Sequence, residues 1–147
     1  MAKGKAAKAK HLEAAAEVVE ICQRYMPNTE ATKAAFRKEG YAVAEATSSH
    51  QLFKANGWNV VVQLQNGGGG NQICAIRVAN MTPDQAVILA QPWVQKAKAR
   101  QQNNVWDEAA AVWRGKIGPD EVAIVVYKKL KSPKIRGSAV KLDFKME

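Results

Sequence analysis

Cysteine and histidine are scarce in this chain, with two of each: Cys22, Cys74, His11 and His50. The cysteines form no Cys-x-x-Cys pair, and the histidines lie at no ligand-like spacing from them. That pattern excludes the usual zinc modules, and neither a metal nor a cofactor is expected. Both cysteines read as buried thiols of a reducing compartment, with a Cys22–Cys74 bridge as the alternative. Long apolar runs are missing too. No stretch approaches the ~20 residues that cross a bilayer. The segment after the lysine-rich start, LEAAAEVVEIC, is interrupted by Glu13, Glu17 and Glu20. It lacks the continuous apolar core of a secretory signal, so a cytoplasmic chain without a membrane partner is expected.

Acidic residues are absent from the first ten positions, MAKGKAAKAK, which carry Lys3, Lys5, Lys8 and Lys10. Nothing there can bury apolar surface to offset chain entropy, so residues 1–10 read as a disordered basic arm. The remaining 11–147 read as a single domain large enough to hold a core without staples. Residues 11–95 hold six Lys/Arg against seven Asp/Glu, whereas residues 96–147 hold twelve against six. A near-neutral body flanked by basic segments is the charge distribution of a protein that meets an acidic partner.

What is present is strong local patterning. Leu12, Ala15, Val19, Cys22 and Met26 recur at helical steps until Pro27 stops them. Asn28 or Thr29 can cap a second helix that Gly40 closes in the left-handed region. Strand-type sequence follows at 41–47, ambiguously at 48–56, and strongly at 58–65 and 72–79 on either side of a Gly-rich connection. Thr82-Pro83-Asp84-Gln85 is a complete helix-start signature: cap hydroxyl, proline at the first position, early acid and a capping-box glutamine. The helix it opens is expected over 83–100, kinked at Pro92. After a polar linker, residues 105–114 read as a short helix or as the approach to a strand, a strand from about Val112 to Ile117 being favoured; a turn at Gly118-Pro119 and two further strands complete the chain. The last, 139–146, alternates Val140, Leu142, Phe144 and Met146 with Lys141, Asp143 and Lys145. The fold class is therefore α+β: an antiparallel sheet of about five to six strands, with an N-terminal helical hairpin and one long central helix packed on it.

The chemistry-bearing candidates are weaker. The glycines at 67–70 precede a strand, not a helix, and no Lys-Ser/Thr follows, so they read as a hairpin tip rather than a phosphate loop. Ser48-Ser49-His50 lacks the surroundings of an activated nucleophile and reads as a polar turn. Asp107-Glu108 and Asp120-Glu121 read as turns. Trp58 and Trp93 fall on apolar faces and read as core anchors. Trp106 and Trp113 read as completing the core where helix meets sheet, with base stacking or partner contact as the alternative. No catalytic residue is assigned.

The basic segments carry the functional expectation. Lys3, Lys5, Lys8 and Lys10, with Lys128, Lys129, Lys131, Lys134 and Arg136 in one connection, point to a non-enzymatic binding or assembly protein. Its partner would be nucleic acid or an acidic protein surface, within a larger complex. The alternative is a small-ligand protein or enzyme with a pocket between the kinked helix and the sheet, using Arg77, His50 and Asp107.

Overall fold

The computed structural model describes residues 2–46, 50–55, 59–66, 71–103, 107–130 and 136–145. The first helix, α1, spans Ala2–Tyr25 and continues backwards through the lysine-rich residues that the sequence assigns to a disordered arm. Its periodic face is the expected one, with Ala15, Val19, Cys22 and Met26 buried and Val18 beside them. On its outer side Arg24 Nη2 donates to Glu20 Oε1 at 3.1 Å. After the Met26–Pro27 corner, α2 spans Thr29–Lys38. The Asn28 side chain caps it, accepting from the Ala31 amide at 3.0 Å. Gly40 ends it at φ 86°, which lets the Tyr41 amide reach back to the Phe36 carbonyl at 3.0 Å. Only a residue free of a Cβ takes that conformation cheaply.

Eight strands follow among the described residues, not five to six. They are β1 (Ala42–Ala46), β2 (His50–Ala55), β3 (Val60–Asn66), β4 (Gln72–Ala79), β5 (Arg100–Gln101), β6 (Ala109–Ile117), β7 (Asp120–Tyr127) and β8 (Gly137–Lys145). The additional ones are β2, in the stretch the sequence leaves ambiguous, and β5 at the sheet edge. The two residues of β5 stand opposite Arg114 and Trp113 of β6, a pairing no local pattern announces. The start of β6 is alanine, which has little strand preference of its own and is held by pairing with β7 around a bulge.

All neighbours are antiparallel, in the order β1-β2-β3-β4-β8-β7-β6-β5. The sheet therefore consists of two four-stranded meanders, β1–β4 and β5–β8, each preceded by a helix and joined along β4 and β8. The sequence shows no internal repeat; the topology does.

Between the meanders, α3 spans Pro83–Lys96. Its capping box is complete: Thr82 Oγ1 accepts from the Gln85 amide at 3.2 Å, and Gln85 Oε1 accepts from the Thr82 amide at 3.0 Å. Pro92 lies inside the helix. The helix stops short of the expected residue 100 because Lys98 takes φ 47° and Arg100 joins β5. Helices α1 and α3 lie side by side and point the same way. Trp93 Nε1 donates to the Val19 carbonyl at 2.9 Å, and Lys96 Nζ reaches the Gln23 carbonyl.

Both helices cover one face of the sheet. Their apolar sides meet Val60, Val62 and Leu64 of β3, Cys74, Ile76 and Val78 of β4, and Val140, Leu142 and Phe144 of β8, all buried. The two cysteines are not free thiols. Cys22 of α1 is bonded to Cys74 of β4, with Cα atoms 6.5 Å apart. Helical periodicity places Cys22 on a core face; what spacing along the chain does not supply is that α1 crosses β4 at Cys74.

Candidate anion-binding face

The other face of the sheet is built by the alternate residues of the same strands and, among the described residues, has no helix on it. Strand register aligns them into rows. One row reads Lys54, Val61, Arg77, Ala139, running from β2 through β3 and β4 to β8. The next reads Leu52, Gln63, Ala75, Lys141 and Val125, reaching β7. A third reads Gln65, Ile73, Asp143, Ala123. The centre of the face carries short side chains, Ala75, Ala79 and Ala139, while longer ones flank it. The result is a trough of about 640 Å³, with Val61, Gln63, Gln65 and Arg77 along one side and Tyr127, Lys129, Leu130 and Lys141 along the other. That volume lies within the ~300–1,000 Å³ of ligand sites.

Its polar groups are partly committed to one another. Arg77 Nη2 donates to Gln63 Oε1 at 3.0 Å, and Gln63 Nε2 donates to Gln65 Oε1 at 3.2 Å. The Tyr127 ring packs against a small buried cluster of Ala109, Val112 and Val125. Lys141 Nζ sits over the Tyr127 ring, 5.8 Å from its centroid. Beside the trough, burial pushes the Asp143 carboxyl above its ordinary value, and the Lys141 ammonium opposes that only in part. Asp143 Oδ1 is buried with no hydrogen-bond partner.

Of the basic residues singled out in the sequence, three lie together at one end of this sheet. Lys128, Lys129 and Arg136 belong to the connection between β7 and β8, and all three are exposed. Its base is pinned: the Lys128 amide donates to the Glu108 carbonyl at 2.9 Å, and the Leu130 amide to the Gly137 carbonyl at 3.1 Å. Lys129 also lines the trough. Lys131 and Lys134 lie outside the described residues. Lys3, Lys5, Lys8 and Lys10 occupy the first turns of α1.

The direction of α1 follows from two anchors. Cys22 is tied to Cys74 near the start of β4, and the Tyr41 hydroxyl donates to the Ala14 carbonyl at 3.4 Å. Tyr41 immediately precedes Ala42, which aligns through Lys54 and Val61 with Arg77 near the end of β4. At ~1.5 Å per residue, the helix before His11 passes beyond that same end, where Ala79 pairs with Gly137. Two segments far apart in sequence thus leave the fold at one end.

The other candidates do not assemble. The space between α3 and the sheet is filled by Ala86, Leu89, Ala90 and Trp93, so the concave site is on the opposite face from the one the sequence suggests. Arg77 lines that opposite face. Asp107 is exposed in the turn before β6, and His50 opens β2, its side chain outside the description. Trp93 and Trp113 are buried, which removes Trp113 as a stacking surface. Trp58, Trp106, Ser48, Ser49 and the glycines at 67–70 lie outside the described residues; Asn66 and Gln72 on either side of the glycines are paired as a hairpin requires. Asp120 and Glu121 start β7. No group of three or more His, Cys, Asp or Glu among the described residues could hold a metal ion.

Sequence reasoning missed Tyr127, Lys141, Gln63 and Gln65 as a set. A signal was present: Ile73, Ala75 and Ala79 are too apolar for the water-facing side of a strand. No family profile, curated protein or solved structure matches this chain, so the face is interpreted on its own residues.

Proposed function

We propose that this chain is a non-catalytic binding protein that docks an acidic macromolecule, nucleic acid or an acidic protein surface, at the basic end of its sheet. The observation that carries this reading is convergence. The 128–136 connection and the N-terminal turns of α1 leave the fold at the same end, and among the described residues they supply cations without an interleaved acid. The connection is held at its base by two strands and supplies position; the first turns of α1 add attraction. Of the acid pairs of the sequence, Asp107 and Glu108 are exposed in a turn and Asp120 and Glu121 open β7, and none of the four lines the trough.

The bonded Cys22–Cys74 pair supports maturation in an oxidising compartment, against the cytoplasmic location expected from the sequence. Among the described residues, no helix is long and apolar enough to cross a membrane.

The test is binding of a labelled duplex, a labelled single strand and a poly-glutamate peptide across a salt series. Phosphate contacts give a log–log slope of about −0.9 per duplex phosphate neutralised. Reversing Lys131 and Lys134 should weaken association more per charge than reversing Lys3 and Lys5, with the melting temperature held in both. No binding of any of the three polyanions at low salt ends this reading.

A further inference from the structure

The trough on the open face has a composition that a docking site for charge alone does not require. Its floor is aliphatic, made by Ile73, Ala75, Ala79 and Ala139, with Val61 at one edge. Its cations, Arg77, Lys129 and Lys141, cluster on the side of the basic end, while Ile73 lies deeper along β4. The four-residue step from Arg77 to Ile73 measures ~13 Å along a strand. A cationic mouth leading onto an aliphatic floor complements one kind of molecule.

We propose that this trough binds a small amphipathic anion, an unbranched alkyl carboxylate, with its head group among Arg77, Lys129 and Lys141 and its chain laid over Ala75 towards Ile73. A nucleobase fits these walls less well. Tyr127 is the one aromatic side chain of the trough among its described lining residues, and Lys141 already stands over its ring. The Gln63 amide accepts from Arg77 and donates to Gln65, so it is committed inside the wall rather than presented to a base edge. What remains to be covered is aliphatic surface, and a flexible chain covers it without stacking. The carboxylate supplies the counter-charge to guanidinium and ammonium in charge-assisted hydrogen bonds. This inference is independent of the macromolecular docking proposed above, since Lys129 alone is shared by the two sites.

Titration calorimetry of the intact, oxidised protein with dodecanoate below its micellar range tests it, with hexanoate and dodecyltrimethylammonium as companions. Dodecanoate should bind, each added methylene tightening the complex by about two- to fourfold, the upper figure being that of full burial. The ammonium of the same chain should bind at least tenfold more weakly. Arg77→Gln and Lys141→Gln should each weaken dodecanoate by about tenfold, the loss expected for one hydrogen bond to a charged group. Ala139→Phe, which fills the floor and leaves every charge in place, should abolish binding. Should that variant fail to fold by circular dichroism, the two glutamine variants, both at surface-accessible positions, carry the test alone. Lys131→Glu/Lys134→Glu should leave dodecanoate binding unchanged while lowering polyanion binding.

Equal affinity for hexanoate and dodecanoate, or for the two head-group charges, overturns the proposal. So does indifference to both Arg77→Gln and Lys141→Gln. A single-stranded dT12 that competes with dodecanoate and is itself weakened by Arg77→Gln would give the trough to nucleic acid instead. Loss of polyanion binding with dodecanoate binding intact, or the reverse, removes one site and leaves the other.

Discussion

The two faces of the sheet are made by the same strands, residue by residue in alternation, and they differ in what closes them. On the helix side, β8 contributes Val140, Leu142 and Phe144, each at most 1% exposed. On the open side the same strand contributes Ala139, Lys141 and Asp143, all half-buried. Register on the first face is enforced by packing, because a one-residue slip would turn every apolar side chain outwards. The second face inherits that register without having to specify it. It can therefore carry residues chosen for other reasons: small ones at the centre, cations at one margin, and a carboxylate in a place that does not suit it.

The sharpest way to test that asymmetry is a matched truncation. Phe144→Ala should cost about 3–5 kcal/mol in urea denaturation, as a buried aromatic does, whereas Ile73→Ala on the opposite face of neighbouring β4 should cost about 1 kcal/mol. Equal losses would mean that the open face is covered in solution. The bridge comes next. Cys22–Cys74 ties the helix layer to the sheet across a separation of 52 residues. Reducing it should lower stability by about 2–4 kcal/mol, read as a shift of the denaturation midpoint, and thiol titration of the unreduced, unfolded protein should find no free sulfhydryl among these two.

A smaller effect probes an open-face position that packing restricts. A Cβ placed on Gly137 would run into the Val78 carbonyl and come within 3.2 Å of Ala79 Cα. Gly137→Ala should therefore cost about 1–3 kcal/mol by urea denaturation, unlike substitutions of exposed residues around it. Smallest is the carboxylate. Burial raises the Asp143 carboxyl above its ordinary value of 3.8. Ionising it thus costs the folded state stability, a cost absent below the ordinary value and complete once pH exceeds the raised one. Asp143→Asn should melt slightly higher than the parent at pH 7, with the difference vanishing near pH 3. A lower melting temperature at pH 7 would show that the Lys141 attraction outweighs burial.

What was legible in the sequence was local. The span 72–79 is β4 to the residue, and the Thr82 box forms both of its hydrogen bonds, because each is decided within a few positions of chain. The first helix shows the same: steps of three and four found Ala15, Val19, Cys22 and Met26 without knowing what they would touch. What depended on distant partners stayed hidden. Arg100 and Gln101 are strand only because Arg114 and Trp113 stand opposite. Cys22 and Cys74 looked like separate thiols because spacing along a chain says nothing of where a helix crosses a sheet. The trough was invisible for the same reason: Arg77 and Ala139 share a row only through the β4–β8 pairing. The loop lysines stand together in the sequence as one basic connection; that this connection and the first turns of α1 lie towards one end of the fold came from the direction of that helix.

The position of β8 has a consequence for how such a chain is made. The last strand in sequence order sits in the middle of the sheet, between β4 and β7. A polypeptide emerging from the ribosome can assemble β1–β4 early, yet the outer edge of β4 has no lawful neighbour until Leu142 arrives opposite Cys74. Over that interval β4 and then β7 present bare backbone and apolar side chains, the kind of surface that recruits the wrong strand from another nascent chain. Synthesis rate, and any factor that shields an unpaired strand, should therefore govern the yield of this protein more than its final stability does.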